Sequence, residues 1–124
     1  MRREDDIRIS VTAEADLVAV SVDGNLDYYT APLFRQRVDD ALEFDASVVE
    51  VRLGDINVID SSGLSVLICA YKLTRARGSE LVLRGDAETV ARLLRRTSLD
   101  RVLPLQPPHR PTADAGPAAS AASA

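Results

Sequence analysis

The chain has 124 residues, 46% hydrophobic and 27% charged, which is the profile of one globular domain and not of a disordered chain. A single cysteine and a single histidine exclude a disulfide framework and a Cys/His zinc site, both of which need several ligands. There is no run of about 18 apolar residues to span a membrane, and a net charge of −4 argues against a nucleic-acid binder.

The N-terminus places two arginines, Arg2 and Arg3, before acids and not before an apolar stretch. It therefore reads as no secretion signal, and a soluble cytoplasmic protein is the expectation. Ile7, Ile9 and Val11 alternate, and Leu17, Val18, Val20 and Val22 follow a polar turn at 14–16. Period two predicts two adjacent strands in a hairpin. The second strand is expected to stop at the turn cluster Asp23-Gly24-Asn25. Thr30 is suited to cap a helix with Pro32 in its first turn. Ala31, Phe34, Val38, Ala41 and Leu42 give that helix one apolar face to about Glu43.

Val48, Val49, Val51 and Leu53 predict a central third strand, broken at Gly54-Asp55. Ile56, Val58 and Ile59 then form an apolar connection to Asp60-Ser61-Ser62-Gly63. A second helix is expected over Leu64–Ala76, closed by Gly78. Leu81–Leu83 is a fourth strand, and Asp86 is placed to cap a third helix containing Val90, Leu93 and Leu94. Val102–Leu105 is a short last strand, and Pro104, lacking an amide donor, puts it at a sheet edge. The order β-β-α-β-α-β-α-β predicts a small α/β domain. Its sheet is mixed and mostly parallel, with about five strands and helices packed on it.

Residues 106–124 hold eleven Ala or Pro residues and no large apolar one, so they cannot offset their ordering entropy. The reading is a folded domain over 1–105 and a disordered tail over 106–124. His109 falls in that tail, which makes it a poor catalytic base.

Charge is uneven. Residues 1–60 carry 14 acids against 6 bases, whereas residues 61–105 carry 4 acids against 8 bases. Arg92, Arg95, Arg96 and Arg101 are either an anion-binding patch or a solvated helix face, with Glu88 spaced to pair with Arg92.

The informative stretch is Ile59-Asp60-Ser61-Ser62-Gly63-Leu64, where a strand ends and a helix begins. Functional groups of open α/β sheets gather at such carboxyl ends. Asp-Ser-Ser-Gly is also an ordinary capping sequence. The neighbouring acids add information. A permanent phosphate site would not be flanked by Asp60 and Asp27, but a serine switched by gaining a phosphate suits that setting. The second helix is apolar nearly all round. One side meets the sheet, and the other meets a neighbouring helix or another protein. Tyr28 and Tyr29 are either interface residues or a packed turn. Cys69 reads as a small buried hydrophobe.

Two segments together resemble the STAS domain of bacterial anti-sigma factor antagonists. Gly24-Asn25-Leu26-Asp27-Tyr28-Tyr29-Thr30-Ala31 is similar to the family's Gly-Glu-Leu-Asp-x-x-Thr-Ala. Val58-Ile59-Asp60-Ser61-Ser62-Gly63-Leu64 is similar to its apolar-Asp-Ser-Ser/Thr-Gly-Leu. A weaker third match is Gly78-Ser79-Glu80-Leu81 with the helix and Leu99 that follow. The resemblance covers about residues 6–105. It implies a non-enzymatic switch with no cofactor and no metal. Ser61 would be the phosphoacceptor, and Asp27, Asp60, Ser62, Gly63 and Leu64 would form the partner-binding site. The implied kinase is the anti-sigma factor itself, a serine kinase of histidine-kinase-like ATPase fold. It would be bound only while Ser61 is bare, and its sigma factor would thereby be released. A PP2C-type phosphatase would restore the bare form. Asn25, where the family usually has an acid, and Ser65, where glycine is common, are departures.

Two other classes compete. A hydrolase using Ser61 as nucleophile needs an activating base, and no histidine lies in the expected fold. A STAS module of another assembly would lack the kinase. Examples are a stress-sensing complex, a lipid-transport subunit or a nucleotide-responsive domain. No usual glycine-rich phosphate loop is present for the last of these.

Overall fold

The computed structural model describes residues 6–109. The elements are β1 (Ile7–Glu14), β2 (Leu17–Leu26), α1 (Ala31–Leu42), β3 (Val48–Ile59), α2 (Ser61–Ala76), β4 (Glu80–Arg84), α3 (Glu88–Arg96) and β5 (Leu105–Gln106). They follow the order read from the sequence. One sheet runs β1-β2-β3-β4-β5. The β1–β2 hairpin is antiparallel, and every later neighbour is parallel. Val18, Val20 and Val22 face the same way as Val49, Val51 and Leu53, and all six join Phe34, Val38, Leu67, Ala70, Val90 and Leu94 in one core. Alternation sends Ser21, Glu50, Arg52 and Arg84 to the opposite face.

β2 and β3 do not stop where their turn residues suggested. Both continue, β2 to Leu26 and β3 to Ile59, because their irregularities lie side by side. Val22 pairs with Leu53, and pairing resumes at Gly24–Ile56 and Leu26–Ile59 after two register shifts. Gly24 takes φ +112°, and a side chain there would meet the backbone of Asp6 and Ile7, so only glycine fits this bulge. Asp23 Oδ1 accepts the Asp55 N–H at 2.8 Å, which satisfies a donor at the irregularity. The bulge therefore extends the two central strands and carries their ends toward the α2 N-terminus.

Four smaller expectations change. α2 begins at Ser61, not Leu64, so both serines of the motif lie in its first turn. α3 is preceded by Ala87, with no side-chain cap from Asp86. Glu88 pairs with Arg95 at 3.1 Å and not with Arg92, an exposed contact of small energetic weight. The last strand is Leu105–Gln106, at the sheet edge as expected. Residues Leu99–Arg101 form a 3-10 turn before it, and Pro104 stays outside the pairing.

The chain keeps contact with the sheet beyond residue 105. Arg84 donates to the Pro107 carbonyl at 3.1 Å, and His109 Nε2 lies 3.0 Å from Glu50 Oε1. Residues 106–109 thus lie against the domain, and the rest of the expected tail lies outside the described residues. Glu50 is almost fully buried and also meets Arg52 Nε at 2.6 Å and Arg84 Nε. Burial alone would raise its carboxyl, but Arg84, His109 and Arg52 together hold it at about 2, against an ordinary 4.5. The unfolded chain then binds the extra proton first. The stabilisation is complete above pH of about 4.5 and fades as pH falls toward about 2. Glu50→Gln should be less stable at neutral pH by about 1–3 kcal/mol, since both guanidiniums keep access to water. Urea unfolding across pH is expected to show that gap closing below pH 4.5. A gap that stays constant to pH 2 would contradict the charge assignment.

Candidate functional site at the start of helix α2

The site is assembled from two strand ends. Asp60 N–H donates to the Leu26 carbonyl at 3.1 Å, which locks the end of β3 to the end of β2. Asp60 is extended (φ −122°, ψ −170°) and caps α2: Oδ1 accepts from Ser62 N–H at 2.8 Å and Gly63 N–H at 3.3 Å. Its second oxygen, Oδ2, accepts from Tyr28 N–H at 3.3 Å, 32 residues away in sequence. One carboxylate therefore joins the helix start to the loop after β2.

That loop is tied down by its own acid. Asp27 Oδ1 accepts from Tyr29 N–H at 3.0 Å and Thr30 N–H at 3.1 Å. Thr30 does not cap α1 with its side chain as expected. Its buried hydroxyl donates to the Asn25 carbonyl at 2.7 Å and accepts from Asp27 N–H at 3.0 Å. The closed network fixes a short loop in which Thr30 is buried and the two tyrosines are exposed. Tyr28 is 71% exposed and Tyr29 56%, with their rings edge-to-face at 5.4 Å. Val58, near the end of β3, is exposed as well.

The structure brings Asp27, Asp60, Ser61 and Ser62 to one rim. Ser61 is exposed at the first position of α2, and Ser62 is half-buried. The Ser61 backbone carbonyl accepts from Ser65 Oγ at 2.8 Å, so the departure at residue 65 fastens the first turn. Gly63 and Leu64, expected at the contact surface, turn inward. Leu64 is 6% exposed, and Gly63 backs onto Leu26, where a Cβ would run into the carbonyl oxygen and side chain. Their contribution is to seat the helix. Further along α2, Leu67 and Ala70 are buried, whereas Leu73 stays exposed, so the helix is only partly covered. Cys69 is half-buried.

Sequence reading had no means of finding the Asp60–Tyr28 link, since the partners are far apart in the chain. Val58 was also hidden, because an apolar residue beside Ile59 reads as core. Ser61, an exposed residue, stands at the positive end of a helix, and the carboxylates of Asp60 and Asp27 beside it accept from backbone N–H groups. His109, at Glu50 on the sheet, is not part of it. Among the described residues no group of His, Cys, Asp or Glu has a metal-binding arrangement. No helix among them is long and apolar enough to cross a membrane.

The STAS domain model matches residues 8–112. A relative in Listeria monocytogenes, an anti-sigma-B factor antagonist, is 31% identical over 93 residues, covering 75% of this chain and 82% of that one. The anti-sigma-B factor antagonist of Bacillus subtilis is 28% identical over 98 residues, covering 79% and 89%. Among solved structures, an anti-sigma factor antagonist from Mycobacterium paratuberculosis superposes with a TM-score of 0.75 at 24% identity, covering 82% of this chain and 86% of that one. That last likeness concerns the fold. The chain belongs to the STAS domain family. Within it, the chain is a homologue of the anti-sigma factor antagonists, which sets it among non-enzymatic regulatory binding proteins.

Proposed function

We propose that the chain is a phosphorylation-gated antagonist of an anti-sigma factor. The unmodified protein binds an anti-sigma factor that is also a serine kinase of histidine-kinase-like ATPase fold. Binding frees the sigma factor. Phosphorylation of Ser61 switches binding off, and a PP2C-type phosphatase restores it, all within the cytoplasm. The observation that carries this reading is the exposed Ser61 at the head of α2, on a rim whose backbone is hydrogen-bonded to Asp60 and Asp27.

The rim has the composition of a docking surface. Tyr28, Tyr29 and Val58 offer apolar area beside the serine, and aromatic anchors dominate many interfaces. The loop is held in place before binding, so little ordering entropy is lost on contact. Ser62 completes the rim, while Gly63 and Leu64 hold the helix start in position. The folded domain is read as 1–105 with a C-terminal extension, of which 106–109 rest on the sheet.

The test is a release assay. The protein is added to a preformed complex of the anti-sigma factor and its sigma factor, and free sigma factor is measured. Stoichiometric release is expected. If the protein binds neither component, or binds the sigma factor directly, the reading is wrong.

A further inference from the structure

We propose that Asp60 is the positioning residue of the docking surface: through one carboxylate oxygen it sets the Tyr28 ring beside Ser61, and it acts on a partner through that ring and not by its own contact. The inference rests on the proposed binding of an anti-sigma factor and adds which groups make that contact.

The loop after β2 binds most of its own amides. Asp27 N–H donates to Thr30 Oγ1, Tyr29 and Thr30 N–H donate to Asp27 Oδ1, and Ala31 N–H donates to the Asp27 carbonyl. All of these bonds stay within the loop. The Tyr28 N–H, in the middle of the run, crosses instead to Asp60 Oδ2 at 3.3 Å. The loop is thus a unit tied by itself, and Asp60 joins that unit to the first turn of α2.

Asp60 is placed for this task by the strands. Leu26 and Ile59 close the β2–β3 pairing, and the Asp60 N–H goes on to the Leu26 carbonyl at 3.1 Å. Its backbone is thereby fixed to both strand ends. Its half-buried side chain turns Oδ1 to the N–H groups of Ser62 and Gly63 and Oδ2 to that of Tyr28. With both oxygens engaged by backbone donors, Asp60 presents to a partner the groups it holds. One of them is the Tyr28 backbone, whose ring is 71% exposed and stands edge-to-face with Tyr29 at 5.4 Å. An aromatic anchor adds most to affinity when it is held in place before contact, since ordering it on contact costs free energy.

The two duties of Asp60 can be separated chemically. Asparagine and serine cap helices about as well as aspartate, but each offers one acceptor atom in place of two. Asp60→Asn should therefore keep the bonds to Ser62 and Gly63 and turn an NH2 group toward the Tyr28 N–H, donor against donor.

Two measurements on the full chain test the proposal. In the free protein, amide relaxation by NMR should show the Tyr28 order parameter falling from about 0.85 to below about 0.6 in Asp60→Asn, with Ser62 and Gly63 unchanged. Against the anti-sigma factor, Asp60→Asn and Tyr28→Ala should each lower affinity by about tenfold. The double variant should lose no more than about twentyfold, where independent effects would multiply to about a hundredfold. A merely structural role for Asp60 would not vanish on removal of one ring. Melting curves check that each variant folds. If Asp60→Asn does not fold, Asp60→Ser, which also caps with a single oxygen, takes its place in both measurements. A Tyr28 order parameter that Asp60→Asn leaves unmoved, or a double variant weakened by about a hundredfold, overturns the proposal. A wild-type protein that binds no anti-sigma factor refutes the proposed function instead, and the relaxation result alone then decides whether Asp60 holds the loop.

Discussion

Ser61→Asp should lower affinity for the anti-sigma factor by about 10- to 100-fold, whereas Ser61→Ala should stay within about threefold of wild type. The reasoning weighs two local effects. At the head of α2, a negative charge gains roughly 0.3–1 kcal/mol from the helix dipole. It loses a similar amount, about 1 kcal/mol, to the nearby carboxylate of Asp60 in water. The two nearly cancel, so the domain's own stability barely moves. What remains is the cost of burying that charge under a docked partner, which is several-fold larger because the contact is partly desolvated. Aspartate carries one charge and phosphate up to two, so the variant is a partial mimic. Calorimetric titration of both variants, beside thermal melts, separates the terms. Equal affinities for alanine and aspartate, or a large melting shift in the aspartate form, would contradict this accounting.

Gly63→Ala should destabilise the domain by about 2–4 kcal/mol. An added Cβ would lie 2.8 Å from Leu26 Cβ and closer still to the Leu26 carbonyl oxygen. Leu26 cannot retreat, because it is fully buried and its carbonyl accepts the Asp60 N–H. The helix start must move instead, and that pulls Asp60 from Ser62 and Tyr28. At roughly 4–8 °C per kcal/mol for a domain of this size, the melting temperature should fall by more than about 10 °C. Asp60→Ala removes the cap but creates no clash, and should cost about 1–2 kcal/mol. If the glycine variant melted higher than the Asp60 variant, the close approach would not be what holds the helix.

The fold was legible because its signals are periodic. Alternation in 7–22 and the apolar run 48–53 marked strands, and the helical spacing from Ala31 to Leu42 marked α1. Strand ends were less legible. Gly24 and Gly54-Asp55 carry turn chemistry, yet here they form matched irregularities inside paired strands. Local composition cannot tell a bulge from a turn, since both need the same residues. The edge position of β5 was readable from Pro104, but its bounds were not.

The site divides in the same way. The position of Ser61 at a strand-to-helix junction followed from the order of elements. Its exposure, and the inward turn of Leu64, depend on the exact start of α2, a boundary that sequence sets only loosely. Asp27 and Asp60 were singled out for their charge. The structure uses both carboxylates first as acceptors of backbone N–H groups. The Asp60 cap and the Asp27 turn bonds are local and suit those residue types, whereas the Asp60–Tyr28 link is invisible in a pattern, because its partners meet only in the folded chain. Glu50 is the converse case. A carboxylate inside an apolar strand reads as an anomaly until Arg52, Arg84 and His109 are brought around it.

The most direct measurement is to incubate the full chain with its anti-sigma kinase and ATP, then to locate the phosphate by mass spectrometry. A single phosphoryl group on Ser61, absent from Ser61→Ala, is predicted, together with loss of the complex as modification proceeds. Full labelling of Ser61→Ala, or a phosphorylated protein that still holds its partner as tightly as before, would contradict the account.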